Sequence, residues 1–230
     1  MLQPKAYPEM VGKALVLEPE PFLTMVEDDN PWVEGLFLVT CVGLLMGVAD
    51  LVGGLLFTAS MPSFDAVRET LQRALVNFVP WDTQLRYAAL PTWATSWLAG
   101  MAGYGDGWTR FYFALWVPIA LIFQWFFLGI STHVAARALG GRGSLVQTLG
   151  TTALAAAPQL LGVLKVVPFV SVSGVLLGVW ALLIAYRAVA ITHDLPWQRA
   201  ALAALAAPLV LLVLAFGIAA IIGLALLAGG

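Results

Sequence analysis

Leu139-Gly140-Gly141-Arg142-Gly143-Ser144-Leu145-Val146-Gln147 lies between two long apolar runs and reads as a helix stop followed at once by a helix restart. Gly140 or Gly141 supplies the left-handed backbone on which a helix ends. Ser144 and Gln147 match the reciprocal capping box, Ser-x-x-Gln, that opens the next helix. The flanking runs extend from about Phe111 to Val134 and from about Ser144 to Leu164. At 1.5 Å per residue each is long enough to cross a hydrocarbon core about 30 Å thick. The stretch therefore folds one membrane span back on the next as an antiparallel hairpin.

Further apolar runs of spanning length extend from about Trp32 to Phe57, Val170 to Ile191 and Ala200 to Leu227, the last long enough to tilt or kink. The composition agrees. Of 230 residues, 61% are hydrophobic and only 10% are charged, with a mean hydropathy of +0.91. A soluble domain carries about 25% charged residues, so this chain lacks the polar surface for water. The expected fold is all-α: a polytopic bundle of five transmembrane helices. A formal net charge of −2 excludes an electrostatic nucleic-acid binder. The single cysteine, Cys41, cannot form an intramolecular disulfide.

Residues 1–31 are polar and acid-rich, with Glu9, Glu18, Glu20, Glu27, Asp28 and Asp29 against Lys5 and Lys13. They do not resemble a cleavable signal peptide, which sets an apolar core behind positive charge. They read as a cytosolic N-terminal lead, partly helical or lying at the surface, closed by the turn Asp29-Asn30-Pro31. The membrane domain then occupies 32–230.

Between the first two spans, 58–110 forms an extracytoplasmic insertion with its own pattern. Phe64, Val67, Leu71, Leu75 and Phe78 recur at helical spacing among Asp65, Arg68, Glu69, Gln72 and Arg73, which predicts an amphipathic interfacial helix capped by Ser63. Trp81, Tyr87, Trp93, Trp97, Tyr104 and Trp108 follow, residues that favour the headgroup level. Residues 85–101 are apolar enough for a re-entrant hairpin as a second reading.

Basic residues in the short connections set the orientation. Arg137, Arg142, Arg187 and Arg199 join Lys5 and Lys13 on one side, and Lys165 alone stands on the other outside the long insertion. The N-terminus is expected in the cytosol and the C-terminus outside. In the second short connection, Asp194-Leu195-Pro196-Trp197, Asp194 is expected to cap the fifth span, with Pro196 in its first turn. Thr132-His133 and Thr192-His193 each end a span, and Ala157-Pro158 and Ala207-Pro208 each follow in the next. A duplicated hairpin would explain both echoes.

Taken in order, Pro19-Glu20-Pro21-Phe22, Asp29-Asn30-Pro31-Trp32, the glycine loop with Gln147-Thr148-Leu149, Ala157-Pro158, Trp180 and Ile191-Thr192-His193-Asp194-Leu195 resemble the Yip domain family of Ypt/Rab-interacting membrane proteins, in particular its prokaryotic branch. The resemblance is strongest from about Ile130 to the C-terminus. It implies five membrane helices, a cytosolic N-terminus and residence in a prokaryotic cytoplasmic membrane. Eukaryotic members are linked to vesicle traffic, prenylated Rab-type GTPases and membrane curvature. The N-terminal motif of those members is echoed here only by Asp29 to Trp32, so the sequence does not support GTPase binding.

No catalytic, cofactor or metal site is expected. Gly103-Tyr104-Gly105-Asp106 spells the G-x-G-D of intramembrane aspartyl proteases, but no Tyr-Asp partner exists and glycines in a turn account for the string. Asp50 stands about 27 Å along a helix from Trp32, near the outer interface, within reach of water or an arginine of the insertion. Gln124 and Gln159 are the polar groups nearest mid-membrane. Either can satisfy the Leu154 carbonyl that Pro158 leaves open, joining the second and third spans. His133 and His193, with Asp194, are interfacial and too few to hold a metal. Gly140, Gly141, Ser144, Gln147 and Pro158 form a structural motif. The function expected is non-enzymatic: partner binding or membrane organisation in contact with lipid and other membrane proteins, as a hetero-complex or homo-oligomer. An accessory subunit of a larger, for example energy-converting, complex is the alternative. A transporter or channel would need polar groups facing one another across a hydrated cavity.

Overall fold

The computed structural model describes residues 6–62, 66 and 107–228. Among these the chain is helical, without strands. In order come α1 (Ala6–Leu15), α2 (Glu20–Glu27), α3 (Pro31–Ala59), α4 (Gly107–Ala138) and α5 (Leu145–Thr152). A 3₁₀ helix (Ala153–Val166) continues α5, and α6 (Gly174–His193), α7 (Trp197–Ala204) and α8 (Ala206–Ala228) follow. Five helical stretches are long and apolar enough to cross a membrane: Pro31–Ala59, Phe111–Ala138, Leu145–Val166, Gly174–His193 and Trp197–Gly223. They coincide with the five runs read from the sequence. The predicted amphipathic helix at 64–78, the aromatic stretch that follows it and the G-x-G-D string lie outside the described residues, apart from Ala66 and the backbone of Trp108 in α4.

The chain divides into two compact units. The first comprises Met1–Gly43, Ile119–Leu160 and Ser173–Gly230. Here the acid-rich lead is a pair of helices packed on the bundle, with Met10, Val11, Ala14, Phe22 and Met25 buried. α2 packs on α5 and α6. The turn into α3 is held by Asp28, whose Oδ1 accepts from the Asn30 N–H at 2.8 Å. Pro31 then opens α3, where a missing N–H costs no helical bond.

α4 and α6 end alike. The Gly141 N–H reaches the Ala136 carbonyl at 2.8 Å, and the Leu195 N–H reaches the Ala190 carbonyl at 3.2 Å. Each closure needs one left-handed residue, and these are Gly140 (φ 93) and Asp194 (φ 52). Asp194 thus terminates α6 instead of capping the fifth span. Its short polar side chain tolerates the left-handed backbone, and Pro196 takes the N-cap of α7. The Thr-His echo is also out of register: His193 is the last residue of α6, whereas α4 runs on past His133 to Ala138.

The prolines act through the bonds they remove. Pro208 cannot donate to Ala204, and the fifth span breaks there, between α7 and α8. The third span changes to 3₁₀ pairing at Ala153. In that pairing a carbonyl takes the N–H three residues on, so Leu154 is served by Ala157 and needs no glutamine. Gln124 is exposed on α4, Gln159 is half-buried, and neither makes a side-chain hydrogen bond among the described residues. α8 carries no polar side chain and exposes Leu211, Val213, Phe216, Ile218 and Ile221 around its circumference. A helix apolar on every side is at home only in lipid.

The second unit comprises Leu44–Pro118 and Leu161–Val172. Small residues let backbones touch in it. A Cβ on Gly47 would lie 2.5 Å from the Ala114 carbonyl oxygen. That is the carbonyl whose helical partner Pro118 deletes. A Cβ on Gly53 would lie 2.2 Å from the Lys165 carbonyl oxygen. One turn from Gly53, Asp50 pairs with the Lys165 ammonium at 3.3 Å. The acid in the C-terminal part of α3 is therefore met by the lone lysine of the third span.

Gly47→Ala should cost about 1–3 kcal/mol, as overpacking does, because backbone must move. Gly178→Ala, where nothing lies within 4 Å of the added methyl, should gain about 0.5–1 kcal/mol from helix propensity. Thermal unfolding in detergent, followed by circular dichroism, measures both.

Candidate functional site

The polar side chains of the first unit converge where α4, α5 and α6 meet. Thr148 stands at the centre, one turn inside α5 and fully buried. Its hydroxyl gives its proton to the Ser144 carbonyl at 2.8 Å. The same oxygen faces His133 Nδ1 at 3.1 Å and His193 Nε2 at 2.9 Å. A hydroxyl has one proton and two lone pairs, so both ring nitrogens donate to it. That sets His133 as the Nδ1–H tautomer and His193 as the Nε2–H tautomer. The two rings are tilted at a centroid separation of 5.3 Å. His193 is fully buried, and its Nδ1 has no hydrogen-bond partner among the described residues.

A second layer lies beside the first. Thr151 and Thr192 share a hydrogen bond of 2.8 Å, and Trp125 donates from Nε1 to the Leu149 carbonyl at 2.9 Å. Three more buried threonine hydroxyls bond a carbonyl one turn back: Thr132 to Leu128, Thr151 to Gln147 and Thr152 to Thr148. The backbones come close because glycine permits it. A Cβ on Gly143 would stand 2.5 Å from the Thr192 carbonyl oxygen, and one on Gly141 would stand 2.7 Å from His193 Nδ1.

The capping box read from Ser144 and Gln147 is present. Gln147 N–H donates to Ser144 Oγ at 3.2 Å, and Ser144 N–H donates to Gln147 Oε1 at 3.1 Å. Gln147 does more than cap, since its Nε2 holds the Val26 carbonyl of α2 at 3.3 Å. Trp180 Nε1 holds the Leu15 carbonyl of α1 at 2.9 Å. The Tyr7 hydroxyl donates to the buried Glu34 carboxylate at the start of α3. Side chains of α3, α5 and α6 thus each fasten the lead.

Of the residues singled out from the sequence, Gly140, Gly141, Ser144, Gln147, His133, His193 and Asp194 gather at this end of the first unit. Pro158 and Gln159 lie farther along the third span, Gln124 faces outward, and Asp50 belongs to the other unit. Sequence reasoning passed over the threonines as chemistry. The signal was there: Thr148, Thr151 and Thr152 recur at intervals of three and four in an apolar helix, the spacing of one buried face. Among the described residues no group of three His, Cys, Asp or Glu side chains is placed to hold a metal.

The family model of the Yip1 domain matches residues 13–221. The chain belongs to the Yip1 domain family. Comparison with curated proteins and with solved structures finds no match. The Yip1 match begins within α1 and ends within α8, so the helix α2 of the lead lies inside the domain and the whole polar joint is part of it.

Burial first, then the hydrogen bond to Glu34, holds the Tyr7 phenol above its ordinary range. A group raised in the folded state stabilises fully below its unfolded value and loses that contribution as pH rises beyond it. The docking of α1 should therefore be constant up to about pH 10 and weaken above. Anisotropy of a fluorophore on Gly12→Cys, a position with open space around it, should be flat below that pH and fall above it. Tyr7→Phe should reduce the alkaline dependence, leaving the share that the Lys13–Glu20 pair contributes.

Proposed function

We propose that this Yip1-domain protein is a non-enzymatic membrane scaffold, acting by holding partners or organising the bilayer. The observation that carries the reading is the commitment of the buried threonine hydroxyls and of the ring nitrogens that face them. The hydroxyls of Thr132, Thr148, Thr151 and Thr152 bond backbone carbonyls, and the ring nitrogens that face Thr148 are engaged with it. Polar groups spent on their own helical carbonyls or on a neighbouring helix are not poised as nucleophile or general base, which would require an approachable reacting atom. The almost fully exposed α8 offers lateral contact to lipid or to another membrane protein. The orientation we propose has the N-terminus in the cytosol and the C-terminus outside, on the strength of Arg137, Arg142 and Arg199 beside the short connections; residence in a prokaryotic cytoplasmic membrane is proposed on the sequence resemblance alone.

In a Cys41→Ser background, Ala138→Cys and Pro196→Cys should react with an impermeant maleimide only from the cytosolic side, and Ser171→Cys only from outside. The reverse pattern would invert the orientation. Mild-detergent purification with mass spectrometry tests the scaffold reading. Recovery with defined subunits in fixed ratio would favour the accessory-subunit role. Turnover of a substrate by the purified chain would contradict a non-enzymatic role.

A further inference from the structure

Arg137, Arg142 and Arg199 are all exposed, and they meet at one turn, Leu139 to Gly143. Arg137 donates from Nη1 to the Gly141 carbonyl at 3.2 Å. Arg199, arriving on α7, donates from Nη1 to the Leu139 carbonyl at 3.2 Å. The two carbonyls are two residues apart, at most about 7 Å of chain, so both guanidinium groups are pinned to the same small patch. Arg142 lies between them, with its backbone N–H bonded to the His193 carbonyl at 3.3 Å. Each pinned guanidinium spends one N–H on the turn and keeps the other donors of its fork. None of the three is in an ion pair with a carboxylate among the described residues, the neighbouring exposed Asp194 included.

The turn joins the spans Phe111–Ala138 and Leu145–Val166, so it lies at a bilayer surface whichever way the chain is oriented. Three uncompensated guanidinium groups at headgroup depth match a phosphate, which arginine binds in a planar, two-pronged geometry. α7, which brings Arg199, also presents Trp197 with 65% of its surface exposed, and an indole of this kind settles among headgroups and upper acyl chains. We propose that the turn Leu139 to Gly143, with Arg137, Arg142 and Arg199, is a binding site for the phosphate of an anionic phospholipid headgroup. Basic pockets between membrane helices recognise anionic lipids on this principle, each basic residue near the surface changing affinity roughly fivefold. The proposal needs only the turn, its two flanking spans and α7, and is independent of the scaffold reading.

The test uses the full chain in phosphatidylcholine vesicles, with bimane on Ala138→Cys in the Cys41→Ser background. Brominated phosphatidylglycerol or brominated phosphatidylcholine is added at equal mole fraction, and quenching reports which lipid occupies the turn. Brominated phosphatidylglycerol should quench several-fold more effectively. R142Q, whose side chain holds no part of the turn, should bring that preference part of the way to parity without changing the melting temperature. R137Q/R142Q/R199Q should bring the two lipids to parity. Equal quenching in the unsubstituted chain would overturn the proposal, as would a preference that survives in both variants. Glycerol phosphate at matched ionic strength should weaken the preference no more than sodium chloride does. A selective loss with glycerol phosphate would assign the turn to a soluble phosphate compound and overturn the lipid assignment.

Discussion

Thr148 gives its hydroxyl proton back to its own helix and takes ring N–H groups from helices on either side. In water such a bond is worth little, because solvent competes for every partner. Inside a membrane domain there is no hydrophobic drive to bring helices together, since lipid tails are as apolar as leucine. Packing and interhelical hydrogen bonds must supply the association. Around this one oxygen the first unit is laid out: the second layer from Thr151 to Thr192, the close seat of Gly143 on the Thr192 carbonyl, and the turn that carries Gly140 and Gly141. Gln147, whose side chain fastens the lead, belongs to the same turn of α5.

Absent side chains matter as much as present ones. Gly143 touches Thr192, Gly150 touches Pro31, and Gly35 touches Ala153, each at a distance no Cβ would allow. In the second unit Gly47 does the same against the Ala114 carbonyl. Pro118 strips that carbonyl of its N–H, and the close glycine Cα offers a weak C–H contact in its place. The fifth span shows the other resort. Pro208 leaves Ala204 without its helical donor, and the chain breaks into α7 and α8 instead. Each defect in a helical ladder is thus met by close packing, by a change to 3₁₀ pairing or by a break.

The membrane class, the five spans and the hairpin at 139–147 were legible in the sequence because they rest on local signals: apolar length, glycine conformation and a capping box at fixed spacing. Membership of the Yip1 domain family was legible in the same glycine loop and proline step. What could not be read was pairing across helices. Asp194 looks like an N-cap because the residue type serves both ends of a helix, and only the path of the chain decides which. Gln124 looks like polar glue because it lies mid-span, but its face of α4 turns outward. The spacing of the threonines shows a buried face but not its partner, and the interfacial placing of His133 and His193 does not show what they bond. One hydroxyl brings them together over a sequence separation that no local pattern encodes.

A double-mutant cycle between Thr148→Val and His193→Phe, read as unfolding free energy in mixed micelles, asks most directly whether this hydroxyl holds the helices together. Polar contacts between membrane helices couple by about 0.6 kcal/mol on average and up to about 1.7 kcal/mol. A joint that carries the first unit should lie toward the upper end of that range, with the double variant little worse than the poorer single one. Strict additivity of the two substitutions would show that the contact contributes nothing beyond packing, and would contradict the account.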